Sequence, residues 1–373
     1  MKKAASHRTS TASTATRSGE LRALLQPFVA NGSVAGAVTL VANRDRILSV
    51  ETLGFADRAK RKPMRADTVF WIASQTKPIT ATLLMMLVDE KKLRLQDPVE
   101  AYLPIFKNQW LAVKKTDRQI TLRKPRHPVT IRELLSNTGG MAFSSAMEQP
   151  TLDGLSLKDA AGSYALTPLE FEPGSKYAYA NAGFNTVGRI IEVVAGQPYE
   201  QFLEQRLLRP LGMKDTSFRP SAAQVARLAK AYKPAQDQKS LEETRIGQLY
   251  YPLSDQRRHP FPAGGLFSTA ADVARFCQMM LRRGAWGGKR YLSEAAVRTM
   301  IRRHTPQTVP ENYGLGFSLE PSGFGHGGAL STNMRIDVRR GLVLVFLVQH
   351  AGYPPGGEKC RETFFKQAPE IFG

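Results

Sequence analysis

Ser74-Gln75-Thr76-Lys77 sets a hydroxyl and an amine three residues apart, directly after the aromatic run Phe70-Trp71-Ile72-Ala73 and directly before a strongly apolar stretch. Residues three apart share a helix face, so a serine in the first helical turn has the lysine amine beside its hydroxyl. The positive helix N-terminus and the serine's own amide favour negative charge at that point. A buried lysine with a lowered pKa is the base that a serine nucleophile needs. Pro78 is tolerated there, because first-turn amides have no intrahelical partner. Alone the motif is weak: Ser-x-x-Lys arises by chance roughly once in 200 to 300 positions, and a capping serine beside a solvated lysine has the same spacing.

Two further segments carry chemistry-bearing residues. Tyr179-Ala180-Asn181, in the turn-rich stretch from Pro173 to Gly183, displays a phenol two residues from an amide, an acid-base group beside a hydrogen-bonding partner. Tyr177 competes with Tyr179 for that role. Gly323-Phe324-Gly325-His326-Gly327-Gly328-Ala329 formally contains Gly-x-Gly-x-x-Gly, but the segment that follows is strand-like and opens no helix, which excludes the dinucleotide reading. A glycine-rich strand edge suits close approach of a substrate backbone instead, with the Ala329 amide available as an oxyanion donor. A lone histidine such as His326 is otherwise a structural residue.

The elements that must position these groups are legible in outline. Arg17 to Ala30 repeats apolar residues at helical spacing. Ala37–Ala42 and Ile47–Phe55 read as a hairpin around Asn43-Arg44-Asp45-Arg46. The long middle reads as helices and loops, with helices at Ile79–Lys91, Thr130–Ser136, Tyr199–Leu207 and Ala270–Arg283; Thr130 and Ser268-Thr269 offer hydroxyl caps. Strands return at Gly314–Leu319, Met334–Val338 and Leu342–Gln349, before a terminal helix through Phe364 and Phe365. Strands at both ends of a helical middle predict a discontinuous sheet domain (20–73 and 290–373) into which a mainly helical domain (74–289) is inserted, with the site at their interface.

Composition sets the outer limits. The chain has 373 residues, 42% of them hydrophobic, and 52 basic against 32 acidic residues leave a net charge of +20. This excludes wholesale disorder, collagen and a disulfide scaffold. The longest strongly apolar run, Leu342–Val348, is strand-sized and far short of a membrane span. Cys277 and Cys360 lack metal-ligand spacings and read as unpaired thiols, and no cofactor is called for. Residues 1–19, rich in Ala, Ser, Thr and Arg, read as a disordered leader without the apolar core of a signal peptide, which leaves the compartment open. The basic clusters Arg58–Lys62, Lys114-Lys115 and Arg123–His127 lack the motifs of nucleic-acid binders. They read as a solvated surface, or as one attracted to anionic cell-wall polymer.

Ser74-x-x-Lys77, Tyr179-x-Asn181 and His326-Gly327-Gly328, in that order, resemble the serine penicillin-recognising superfamily, in the branch of class C β-lactamases, DD-carboxypeptidases, D-aminopeptidases and family VIII esterases. Connecting phrases such as Leu95–Val99, Phe171–Gly174 and Ala263–Ala270 are similar too, and the resemblance spans Leu21 to Phe365. It implies an α+β fold, an antiparallel sheet domain flanked by helices with a large inserted helical domain. It also implies Ser74 as acylated nucleophile, Lys77 as its base, Tyr179 as proton relay and Asn181 as partner of Lys77 and the substrate amide. The amides of Ser74 and Ala329, beside Gly328, form the implied oxyanion hole. Class C β-lactamases resemble Lys-Thr-Gly where this chain has His326, and a largely neutral histidine anchors a carboxylate less well. The expected substrate is therefore a small ester, a D-residue peptide or, less efficiently, a β-lactam.

Overall fold

The computed structural model describes residues 14–373. The expected leader falls mostly outside this range, and the first helix begins at Thr14, ahead of the expected Arg17. In chain order come α1 (Thr14–Ala30), the hairpin β1 (Gly36–Asn43) and β2 (Ile47–Asp57), and the short strands β3 (Lys62–Pro63) and β4 (Phe70–Trp71). A 3₁₀ turn, Ala73–Gln75, runs into α2 (Thr76–Asp89), followed by the hairpin β5 (Leu111–Lys115) and β6 (Ile120–Arg123). Next are α3 (Ile131–Leu135), α4 (Leu157–Leu166), α5 (Asn181–Ala195), α6 (Tyr199–Leu203), α7 (Arg209–Leu211) and α8 (Ala222–Val225). Then follow β7 (Ala231–Pro234), β8 (Leu241–Thr244), β9 (Phe267–Ser268), α9 (Ala270–Leu281), β10 (Ala285–Trp286), β11 (Lys289–Arg290) and α10 (Glu294–Met300). The chain closes with β12 (Ser318–Glu320), β13 (Gly323–Gly327), β14 (Asn333–Asp337), β15 (Leu342–Leu347) and α11 (Lys359–Phe372).

The first and last strands meet in one antiparallel sheet, ordered β12-β13-β14-β15-β1-β2-β3. Its central strands are apolar on both faces because both are covered. Side chains alternate along a strand. Leu342, Leu344 and Phe346 therefore pack with Leu21 and Leu25 of α1 and Phe364 of α11. Val343, Val345 and Leu347 join Val38, Leu40 and, from α9, Val273 and Ala274 in the larger core. This is the expected antiparallel sheet between helices. Both cysteines are buried and unpaired.

The expected hydroxyl caps are in place. Thr130 accepts from the Glu133 amide at 3.4 Å while Glu133 reaches back to the Thr130 amide at 2.8 Å, and Thr269 accepts from the Asp272 amide. Two local expectations are corrected. Gly314–Phe317 is a turn rather than a strand, closed by the Gly314 amide on the Phe317 carbonyl; Gly316, at φ +79°, donates to the Leu135 carbonyl. A continuous strand cannot make that left-handed bend. The middle is also not purely helical, since β5–β6 and β7–β8 are hairpins outside the main sheet.

Phe346 sits fully buried between the sheet and α11, its ring 5.8 Å from that of Phe364. Phe346→Ala is expected to cost about 3–5 kcal/mol of unfolding free energy, the range for deleting a buried aromatic ring. Urea titration at constant m-value checks it; a loss below ~1 kcal/mol would mean that α11 is not locked onto the sheet through this ring.

Candidate active site

The start of α2 is gripped from outside. Ile72 donates its amide to the Leu266 carbonyl at 3.0 Å, Trp71 Nε1 to the Gly264 carbonyl at 2.7 Å, and Leu266 its amide to Thr76 Oγ1 at 3.2 Å. Between these anchors Ala73 takes φ +47°, a left-handed conformation that costs a non-glycine residue energy. The kink turns the chain from β4 into the helix and leaves Ser74 half-buried at its mouth. Lys77, three residues on, is fully buried. Its Nζ lies 3.2 Å from Ser74 Oγ, 2.8 Å from Asn181 Oδ1 and 2.8 Å from the Ala263 carbonyl. These three acceptors are all uncharged, and burial alone holds the ammonium pKa well below its ordinary value.

Tyr179 closes the other side of the amine, its ring centroid 4.5 Å from Nζ. The phenol shares a hydrogen bond with the Ser74 side chain, and burial raises its pKa. Tyr177 points elsewhere: its ring packs 5.7 Å from that of Tyr313, and burial pushes its phenol up to about 12. The two tyrosines are thus separated by geometry. Asn137 fixes the strand between them, its backbone carbonyl accepting from the Ala178 amide at 3.0 Å and its Oδ1 from the Ala180 amide at 3.2 Å. Asn137 itself is left-handed (φ +57°), which asparagine tolerates better than most residues.

His326 faces the site from β13, with its ring centroid 6.0 Å from that of Tyr179. Its Nδ1 donates to the Gly327 carbonyl at 2.7 Å, which leaves Nε2 to accept from the Tyr313 hydroxyl at 3.0 Å. Burial, then the neighbouring Lys77, lower its pKa to about 3. The imidazole is therefore neutral throughout the physiological range, and even the protonated minority expected from an ordinary histidine is removed. Gly328 explains how β13 comes so close: a Cβ there would lie 2.2 Å from Thr332 Oγ1 and 2.5 Å from the Ile72 carbonyl. Only glycine lets this turn lie against Ile72 and Ala73, the residues that precede Ser74; Ala329, next in the chain, is exposed.

A second layer of polar groups stands behind the amine. Asn185, one turn after Asn181 on α5, accepts from the Ala263 amide at 3.1 Å, and so orients the peptide unit next to the carbonyl that Lys77 uses. Asn185 Nδ2 donates to the Tyr164 hydroxyl at 2.9 Å; Tyr164 in turn donates to Glu148, whose other oxygen accepts from the Ser145 amide at 2.7 Å. Burial raises the Glu148 pKa.

Comparison with known proteins identifies the family. The family model described as Beta-lactamase matches residues 21–365. The chain belongs to the beta-lactamase family. It is 32% identical over 286 residues to esterase EstB of Burkholderia gladioli, covering 70% of this chain and 69% of that one. It is 26% identical over 343 residues to a putative D-alanyl-D-alanine carboxypeptidase of Escherichia coli K12, covering 82% and 75%. The solved structure of EstCE1, described as a hydrolase with promiscuous acyltransferase activity, superposes with a TM-score of 0.79 at 25% identity over 96% of this chain and 99% of that one.

Within this beta-lactamase-family site, Asn137, Tyr313, Asn185, Tyr164 and Glu148 escape a reading of the sequence. The one available signal is the Asn181/Asn185 spacing of four, which puts two amides on one face of α5. Glu148 gives a stability test. Its folded pKa lies above its unfolded value, so the native state holds the extra proton, and that contribution is lost as pH rises through the folded pKa. Glu148→Gln should flatten the decline in stability above pH 4.5 relative to the parent. Asp272, likewise raised by burial, contributes equally to both proteins and cancels. Parallel pH–stability curves for the two proteins would overturn the assignment.

Proposed function

We propose that the protein is a serine hydrolase that forms a covalent acyl-enzyme on Ser74 and acts on carboxylic esters or amides. The observation that carries this reading is a buried amine, its pKa held well below the ordinary value, 3.2 Å from Ser74 Oγ, with a phenol of raised pKa on the same oxygen. Two groups whose surroundings drive their pKa values apart make a base and an acid. In acylation the Lys77 amine takes the Ser74 proton as Oγ bonds to the substrate carbonyl carbon. The amides of Ser74 and Ala329 receive the oxyanion. Tyr179 donates its proton to the departing oxygen or nitrogen, and the proton on Lys77 restores the phenol. In deacylation a water takes the place of the leaving group, and the proton path runs in reverse until Ser74 Oγ is protonated again. Asn181 holds Lys77 at Oδ1, which leaves its Nδ2 for the substrate's acyl side. We place this site where the sheet segments 20–73 and 290–373 meet the helical segment 74–289.

Among acyl donors, uncharged esters are the favoured class. Position 326 carries no cation, and the rings there are aromatic: Tyr179 on Ser74, the half-exposed Phe143 beside Tyr179, and Tyr313 beside His326. The name of esterase EstB supports an ester and the description of EstCE1 an acyl-transferring hydrolase; that of the E. coli relative supports a peptide ending in D-alanine.

Treatment with a fluorophosphonate should add one mass equivalent at Ser74, read by intact-mass spectrometry and peptide mapping. Ser74→Ala should remain unlabelled, and undiminished labelling of that variant would remove Ser74 from the mechanism.

A substrate panel decides the class. Short-chain p-nitrophenyl esters should give kcat/KM at least about tenfold above nitrocefin, the worth of ~1.4 kcal/mol from one missing charge-assisted contact to a carboxylate. Nitrocefin turning over faster than every ester and every D-alanine peptide would make the protein a β-lactamase in activity as well as in family.

A further inference from the structure

We propose that the β5–β6 hairpin is a docking surface for an anionic lipid membrane. The hairpin stands apart from the main sheet. Its strands pair with each other, and it is tied down at its base by the Ala112 amide on the Leu169 carbonyl and the Leu169 amide on the Trp110 carbonyl. An isolated two-stranded hairpin is marginal in water, and its side chains ordinarily suit water. Here they do not: Trp110 is 44% exposed, Val113 48%, Ile120 49% and Leu122 41%. Ile120 and Leu122, two apart on β6, share one face of the ribbon. Large apolar side chains gathered on a protruding element mark a contact surface.

The charge around them names the partner. Between residues 107 and 126 there are seven lysines and arginines and one acid, Asp117, a net charge of +6. Lys107, Lys114, Lys115 and Arg118 form no ion pair among the described residues. Arg123 and Arg126 are paired with Glu172, and Lys124 lies 4.1 Å over the Trp110 ring. A hydrophilic polyanion would use the cations and leave the apolar side chains in water. A bilayer of anionic lipid uses both, with the apolar tips at the acyl boundary, the indole at the headgroups and the lysine stems laid along them. No helix of the described residues is long and apolar enough to cross a membrane, so the contact is peripheral.

The test uses the full chain and phosphatidylcholine vesicles with and without phosphatidylglycerol. Co-sedimentation is expected with the anionic vesicles only, falling as salt rises. Trp110 emission should shift to the blue and be quenched by brominated acyl chains, a measurement on the unmutated protein. Trp110→Ser/Ile120→Ser/Leu122→Ser and, separately, Lys114→Glu/Lys115→Glu should each weaken binding by about tenfold or more. Both variants should keep the thermal midpoint and the ester-hydrolysis rate in solution, because none of these residues touches Ser74. Absence of sedimentation, or absence of quenching, overturns the proposal. So does full binding by the triple-serine variant; retention of that variant on immobilised heparin would then assign the patch to a soluble polyanion.

Discussion

A lysine amine with no counter-ion is the constraint around which this molecule is arranged. Burying an ammonium without a carboxylate partner is costly, and the usual relief is loss of the proton. Burial drives the Lys77 pKa in that direction, and every acceptor within reach of Nζ is neutral. The neutral acceptors must then be held in place by something else. Asn181 is fixed by the first turn of α5, its amide bonded to the Phe143 carbonyl at 2.9 Å. The Ala263 peptide is fixed by Asn185, and Asn185 by Tyr164 and Glu148. A carboxylate in the first layer would raise the amine's pKa again. The one carboxyl in the network is kept behind Asn185 and Tyr164, where burial pushes its own pKa upward.

The sheet contributes distance rather than chemistry. In an antiparallel ladder the register decides which residue faces which, and His326 pairs with Met334 while Gly327 pairs with Asn333. That register brings Gly328, just past the end of β13, to the Ile72 carbonyl before the α2 turn. The strained Ala73 and the crowded Gly328 thus lie against each other. Both are positions where local preference yields to the geometry of the site, and both are maintained by surrounding hydrogen bonds.

What the sequence displayed and what it hid divide on a physical line. Ser74, Lys77, Tyr179, Asn181 and His326 lie in short segments whose residue types are chemically unusual for their position, and three such segments in order specify far more than one. The central strand at Leu342–Leu347 was legible because a strand covered on both faces is apolar throughout. The positions of Asn137 and Tyr313 were not, since each acts through a contact that forms only when distant segments meet, and neither amide nor phenol is unusual in a loop. The β5–β6 hairpin was hidden differently. Its lysines and arginines dominate the segment, so the pairing of Leu111 with Arg123 and of Ala112 with Leu122 has no clean polar-apolar alternation to announce it.

Burial holds the pKa values of both His326 and Lys77 low, and the two groups are coupled as well. The structure lowers the histidine pKa partly through Lys77, and an interaction between two titrating groups acts on both with equal strength. A permanent cation at position 326 would offer a substrate carboxylate an anchor, and by the same field would lower the Lys77 pKa further. A lower pKa keeps the amine deprotonated in more acid solution but makes it a weaker base towards Ser74. An imidazole locked between the Gly327 carbonyl and the Tyr313 hydroxyl avoids that exchange, because it fills the position with a hydrogen-bonding ring and no charge. The choice at position 326 therefore sets base strength and substrate charge together, and a site without a cation there favours acyl donors without a carboxylate.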